Sequence, residues 1–258
     1  MSTPPGQSRV VTDDLGAEVE LPAAPLTRLV SLVPSLTEAV AATRPEALVG
    51  ATDWCTHPAD LDVRRVRGTK NPDRRAIESL APELVICIQE ENRELDVRRL
   101  READIAVWVG VIESVQDALR CLRELFTVVL QWDEPDWLLD VDRLFGGEVE
   151  EVRTSVAVPI WRDPWMVVGA STYTTDLLER AGVGNVLGGH EDRYPKVGVE
   201  EIDGAGADLV LLPDEPYVFT AEDGPEAFTR TPTRLVSGRL LTWYGPAMIE
   251  ARSLLDSL

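Results

Sequence analysis

Cys55 and His57 stand two residues apart in the stretch Asp53-Trp54-Cys55-Thr56-His57-Pro58. A thiolate and an imidazole in one loop are residue types that bind a soft or borderline metal ion. The same pair could act otherwise: His57 could ligate a metal already held in a macrocycle, or activate Cys55 as a nucleophile. A small buried thiol beside a loop-bonded imidazole is the plainer alternative. His190, the second of the two histidines, falls in a comparable loop of the second half. Two acidic pairs, Glu90-Glu91 and Asp214-Glu215, each follow an apolar run. Facing carboxylates can coordinate a hard cation, hold a basic ligand or share a proton, whereas solvated loop ends would read the same way.

Six aromatic residues, Trp54, Trp161, Trp165, Tyr217, Trp243 and Tyr244, fall at predicted strand ends or in adjoining loops. Flat aromatic walls suit a large planar ligand such as a corrin or porphyrin, each adding stacking of about 0.5–1.5 kcal/mol to its apolar area. Packing between lobes is the alternative use. Polar anchors accompany them. Thr69, Lys70, Asn71 and Asn92 flank one predicted strand, and Arg162 could grip a carboxylate or pair with Asp163. Ser35 opens one predicted helix, with Glu38 at capping-box spacing, and Ser171, Thr172 and Tyr173 open another. No GxSxG elbow, P-loop or dinucleotide GxGxxG occurs, and Gly182-Val183-Gly184 reads as a helix C-cap.

The chain of 258 residues carries a net charge of −20, from 45 acidic and 25 basic residues. That balance argues against nucleic acid and anionic membrane as partners. One local basic cluster, Arg64, Arg65, Arg67 and Lys70, could still make a pocket positive. The three cysteines have neither disulfide-framework nor zinc-knuckle spacing, and Cys87 and Cys121 fall in apolar patterns expected to be core. The first residues show no apolar secretion signal, and no window approaches 18 uninterrupted apolar residues, so no membrane insertion and a cytoplasmic location are expected.

These residues need elements to hold them. The stretch Gly68 to Asn92 predicts a turn, a helix over Arg74 to Leu80 stopped by Ala81-Pro82, a doubly covered strand over Leu84 to Ile88, and a polar tip. Ligands of open parallel sheets bind at such tips. Around it the chain predicts a tail over 1–9 and a hairpin over Val10 to Leu21. Strands follow over Leu29 to Val33, Leu48 to Ala51 and Ala106 to Val109, with helices from Ser35 to Ala42, Asp96 to Ala103 and Ser114 to Leu130. A Gly146-Gly147-weakened helix from Asp136 to Glu151 should link two lobes. The second half then repeats the plan. Trp165 to Val168 with its helix matches Leu29 to Ala42, Asn185 to Gly188 matches Leu48 to Ala51, and Val199 to Glu215 matches Arg75 to Glu91. A last strand over Arg239 to Tyr244 and a helix to Leu258 close the chain. The expected architecture is α/β, two Rossmann-like lobes joined by a backbone helix with a ligand cleft between them. Its parts are a tail and hairpin at 1–27, lobes at 28–133 and 154–258, and the linking helix at 134–153.

The motifs RLVSLVPSLTEAV, GTKNP followed by AIESLAPELV, the DDLG hairpin, and WMVVGASTYTTDLLERAGVGNV resemble the substrate-binding proteins of cobalamin and ferric-siderophore importers. That family is also described as the helical backbone metal receptors, or class III substrate-binding proteins. The segments DWCTHP, EEN, PIWRDPW, LLPDEPY and LLTWYGP are similar to a subgroup without secretion signals. The resemblance covers the chain from about Val10 onward. It implies a bound cobalamin, haem or metal–siderophore-like chelate in the interlobe cleft. In importers one surface glutamate per lobe docks an ABC permease; that role is not carried over to the acidic pairs here. The expected function is therefore binding of a metal–organic small molecule. The alternative is an enzyme on the same fold, using Cys55, His57 and the cleft carboxylates, with or without a directly bound metal.

Overall fold

A computed structural model describes residues 7–258, which form two compact units. The first runs to Ile112 and also contains Asp117–Leu139 and Tyr244–Pro246. The second comprises Glu113–Gln116, Asp140–Trp243 and Ala247–Leu258.

In the first unit the chain opens with a hairpin of β1 (Ser8–Thr12) and β2 (Glu18–Pro22), turned at Gly16 with φ +81°. Residues 1–6 of the expected tail lie outside the described residues, whereas Ser8 and Arg9 belong to β1. The sheet is built from β3 (Leu29–Ser31), β4 (Leu48–Ala51), β5 (Arg64–Arg65), β8 (Leu84–Ile88) and β9 (Val107–Gly110), in the order β5-β4-β3-β8-β9 and parallel throughout. The two-residue strands β6 (Arg67–Gly68) and β7 (Asn71–Pro72) close the turn after β5. All five residues of β8 are buried, as a strand covered on both faces requires. Helices α1 (Pro34–Ala41), α2 (Arg74–Leu80), α3 (Glu94–Arg101) and α4 (Val115–Glu124) follow in chain order. Ile77 of α2 and Val97 and Leu100 of α3 share one apolar cluster with Val30, Val85, Val107 and Val109 of the strands. Each such side chain contributes roughly 1.5–3 kcal/mol on burial.

Local chemistry sets the helix ends. Asp73 caps α2 by accepting from the Ala76 N–H at 3.2 Å, and Ala81 ends it in a left-handed conformation, φ +44°. Helix α1 starts differently from the capping-box expectation. Pro34 takes the first turn, where its missing N–H costs nothing, and Val33 provides no side-chain cap. Ser35 and Glu38 therefore lie inside the helix, both buried. Helix α4 continues into a π-helical turn, Leu125–Val129, and Phe126 meets Trp132 and Trp137 at ring separations of 5.9 and 5.6 Å. The helix α5 (Asp136–Phe145) is shorter than the Asp136 to Glu151 expected, because it stops before Gly146-Gly147.

The second unit has a parallel sheet of β10 (Thr154–Ala157), β13 (Val183–Asn185), β14 (Leu209–Pro213) and β15 (Thr233–Val236), in the order β13-β10-β14-β15. A hairpin of β11 (Pro159–Trp161) and β12 (Met166–Val167) leads into α6 (Tyr173–Arg180), and α7 (Val199–Asp203) precedes β14. Two expectations are corrected here. The Trp165 to Val168 run is the antiparallel return of a hairpin, so the true counterpart of β3 in this sheet is β10, which its short Thr-Ser-Val-Ala pattern concealed. Arg239 to Tyr244 is a helical turn, α8 (Arg239–Thr242), followed by α9 (Ala247–Asp256). The Gly238 N–H donates to Asp214 Oδ1 at 2.7 Å and Thr242 Oγ1 donates to Gly238 O at 2.9 Å, closing that turn. Gly182, with φ +67°, does end α6, but Val183-Gly184 already belong to β13.

At the C-terminal edge of the first sheet one buried amide joins three segments. The Ile88 N–H donates to Asn92 Oδ1 at 2.9 Å, and Asn92 Nδ2 donates to Leu32 O at 3.2 Å and Thr69 O at 3.1 Å. Asn92→Ala leaves these backbone groups without their partner and is expected to lower unfolding free energy by about 2–3 kcal/mol. Urea unfolding measures this, and a loss of less than about 0.5 kcal/mol, the range of ordinary surface changes, would contradict the role.

Candidate functional site

In the first unit the candidate residues gather on the loops beyond the C-terminal ends of β3, β4 and β8. The loop after β4 is shaped by Arg65. Its guanidinium donates to the carbonyls of Thr52 at 3.0 Å, Cys55 at 2.9 Å and Leu61 at 3.2 Å. The Asp53 N–H donates to Arg67 O at 2.8 Å, tying the same loop to the β6–β7 turn. Trp54 is thereby held outward, 65% exposed. A Cβ added to Gly68 would come within 3.2 Å of Trp54 Nε1 and 2.4 Å of Asn71 Oδ1, so the missing side chain is what lets the indole lie against the turn. Lys70 and Asn71 are exposed at this turn and Thr69 is half-buried.

Cys55, considered from its spacing as a metal ligand or nucleophile, is enclosed by hydroxyl groups. Its Sγ is buried, 3.0 Å from Thr37 Oγ1 and 3.1 Å from Thr52 Oγ1. Burial pushes the thiol pKa up, which disfavours the thiolate that either chemistry needs. His57 Nδ1 lies 3.1 Å from Thr56 Oγ1. Among the described residues no group of three or more His, Cys, Asp and Glu side chains is placed to hold a metal ion.

The acidic tip after β8 is split in role. Glu90 is exposed, whereas Glu91 accepts from the Tyr244 hydroxyl at 3.3 Å. Tyr244 is buried, and its phenol pKa lies well above the usual value because of burial, with the charge of Glu91 adding to the effect. The buried Ser35 hydroxyl sits beside it without reaching hydrogen-bond geometry. Gly245, φ +120°, lets this segment approach Ala39 of α1.

In the second unit the aromatic residues form a packed cluster. Trp165 stacks on Phe219 at 5.8 Å and meets Phe228 edge-on at 5.5 Å. Tyr217 packs on Phe219 at 4.7 Å and edge-on to Trp161 at 5.6 Å. Arg162 lies over Trp165 and donates to both Asp223 and Glu226, and the Tyr217 hydroxyl donates to Asp223 at 2.6 Å. The expected carboxylate grip of Arg162 is thus already taken by the chain's own acids, and Asp163 is not its partner. Trp161 remains 43% exposed at the end of β11.

The pair after β14 faces α8 within the same unit. Asp214 caps Gly238, and Glu215 lies so close to it that a Cβ there would be 2.5 Å from Glu215 Cγ. Burial raises the Glu215 pKa, the charge of Asp214 adds to it, and hydrogen bonds from Trp243 and Thr242 oppose it. Trp243 is buried, and its carbonyl accepts from the buried Tyr173 hydroxyl at 3.4 Å. Ser171 is exposed with φ +53°, and Thr172 caps α6 by accepting from the Thr175 N–H at 3.2 Å. His190 is exposed. Sequence reading missed Arg65 as a loop organiser and the residues Phe219, Asp223, Glu226 and Phe228 around Arg162. The Asp223-Gly224 turn dipeptide was the one available signal for the latter.

Two measurements test these environments. At about pH 8 a thiol reagent should modify none of Cys55, Cys87 and Cys121 in the native protein and all three after denaturation, since burial raises each pKa. Rapid native labelling of Cys55 would restore it as a nucleophile. For Glu215 the folded state holds a proton that the unfolded chain releases, so its contribution to stability falls as pH rises from the ordinary glutamate pKa through the raised one. Glu215→Gln should therefore melt higher than the parent at about pH 7 and lose that advantage near pH 4. A difference that does not depend on pH would contradict the shift.

No protein-family model matches the chain. A curated vitamin B12-binding protein of Vibrio vulnificus is 24% identical over 194 residues, spanning 71% of this chain and 70% of the relative. Among solved structures, the periplasmic vitamin B12-binding protein of Vibrio cholerae superposes with a TM-score of 0.71 at 15% identity, covering 90% of this chain and 96% of that one. The periplasmic haem-binding protein of Roseiflexus sp. RS-1 superposes with a TM-score of 0.74 at 18% identity, covering 89% and 97%. The chain has the α/β fold of the class III substrate-binding proteins, the cobalamin and ferric-siderophore type, and its sequence relationship to them extends over most of its length.

Proposed function

We propose that this protein binds a planar metal–organic small molecule, a corrinoid or a haem-like chelate, on the loops at the C-terminal edges of its parallel sheets. The observation that carries the reading is Trp54. An indole is a large apolar surface, and one left 65% exposed on a loop held by the Arg65 and Asp53 hydrogen bonds has a cost in water that a stacked ligand would remove. Its position beyond β4 is where open parallel sheets bind ligands. Trp161 gives the second unit a partly exposed indole at a comparable place, backed by the Tyr217 ring. The names of the relatives, which bind vitamin B12 and haem, support the ligand class. Polar anchors would come from Lys70 and Asn71 in the first unit. The Cys55 environment does not support the enzymatic alternative, because a buried, protonated thiol is a poor nucleophile.

Titration with haem and with cyanocobalamin, followed by visible absorbance and tryptophan fluorescence, tests this. Trp54→Ala should weaken binding of the preferred chelate about tenfold, equivalent to ~1.4 kcal/mol. Binding of neither compound would overturn the proposal, and unchanged affinity in Trp54→Ala would remove Trp54 from the site.

A further inference from the structure

The −20 charge of the chain has one local reversal. Between Arg64 and Arg75 six residues are basic and one, Asp73, is acidic. These residues do not act alike. Arg65 is spent on the carbonyls of the Trp54 loop, and Arg74 pairs with Glu78 at 3.0 Å along α2. Asp73 is engaged as the cap of α2 and lies 3.5 Å from Arg67. Arg64 and Lys70 make no ion pair among the described residues, and Arg67 has only that distant, solvent-exposed contact. Lys70 projects from the tip of the β6–β7 turn, the turn against which Trp54 lies and whose Arg67 carbonyl holds the Asp53 N–H. An exposed indole and the cations Arg67 and Lys70 are thus built on one hydrogen-bonded loop pair.

The remaining acid of this loop pair is Asp53, exposed, with Asp60 and Asp62 farther along the same connection. They set the background against which the cations act: a cationic ligand would be drawn to the protein as a whole, while an anionic one gains only at this edge. We infer that the ligand taken at Trp54 is an anionic planar chelate, one whose ring stacks on the indole while ring-borne carboxylates meet Lys70 and Arg67. This rests on the chelate-binding reading above and adds the charge of the ligand to it. Arg suits a carboxylate by its fork of donors, and Lys at a turn tip reaches it as a mobile point charge.

Haem, its propionate dimethyl ester and cyanocobalamin, titrated against the full chain, separate the possibilities. The ester keeps the ring and the metal and removes the charge. In the wild type, esterification should weaken binding about tenfold, the scale of one charge-assisted contact of ~1.4 kcal/mol. In Arg67→Gln/Lys70→Gln the same comparison should give less than about a twofold difference, since neither charge remains. Raising NaCl from about 0.05 to about 0.5 M should weaken haem but not its ester. The substituted side chains are exposed, and the single variant Lys70→Gln, showing a smaller loss of the same sign, controls for any effect of Arg67→Gln on its turn. Equal affinity for haem and ester, or tight cyanocobalamin binding with weak haem binding, would overturn the inference and leave chelate binding standing. Failure of all three compounds to bind would overturn both.

Discussion

The candidate site depends on how the open end of a parallel sheet is held shut. Strands that end together leave backbone groups with no ladder partner, and these must be paired or solvated. In the first unit Asn92 does this with a single side chain, accepting from Ile88 and donating to Leu32 and Thr69. The end of β3, the start of α1, the β6–β7 turn and the end of β8 are fixed relative to one another by that amide. In the second unit Asn185 acts in the same manner: Nδ2 donates to Val168 O at 3.0 Å and Thr175 Oγ1 at 2.9 Å, while Oδ1 accepts from the Leu187 N–H at 3.1 Å. Asp203 gathers the N–H groups of Thr229, Arg230 and Thr231 below β15, which holds its carboxyl at about 2. Side-chain amides and carboxylates of this kind tie the loops beyond the strands to the sheets.

Charge is used in two distinct ways on this scaffold. Some cations work inward, as scaffolding: Arg65 has its guanidinium on three carbonyls, and Arg162 is clamped by Asp223 and Glu226 over the Trp165 ring. Others remain at the edge with their fields facing water. Arg65 and Lys70 are both exposed and differ in their partners, and that difference decides which of two neighbouring positive residues can respond to a ligand. The aromatic residues divide similarly, with Trp54 outward and Tyr244 and Trp243 buried in their own units.

Much of the fold was legible because its signals are local. The run Leu84 to Ile88 read as a covered strand, Ala81-Pro82 after Leu80 stopped a helix, and Asp14-Leu15-Gly16 announced a hairpin. The failures came where a partner distant in sequence decides the outcome. Arg239 to Tyr244 has strand-like residues, yet it forms a helical turn whose preceding Gly238 N–H is held by the carboxylate of Asp214. Thr154–Ala157 has little apolar signature of its own and is a strand because β13 and β14 flank it. The site was legible as a set of loops and less so as individual roles. Spacing suggested Cys55 with His57, but two threonines that sequence proximity alone did not single out enclose the sulfur. Arg162 looked available until the turn at Asp223 was placed against it.

Tyr244–Pro246 has a consequence for how the molecule is made. These residues follow the whole of the second unit's sheet in the chain, yet they complete the first unit, where Tyr244 meets Glu91 and Gly245 meets Ala39. During synthesis the first unit can form its sheet and still lack the piece that packs on α1 until the second unit's sheet has left the ribosome. Vectorial folding of this protein is therefore not one unit followed by the next, and a fragment ending before Trp243 would expose a raw apolar seam on α1.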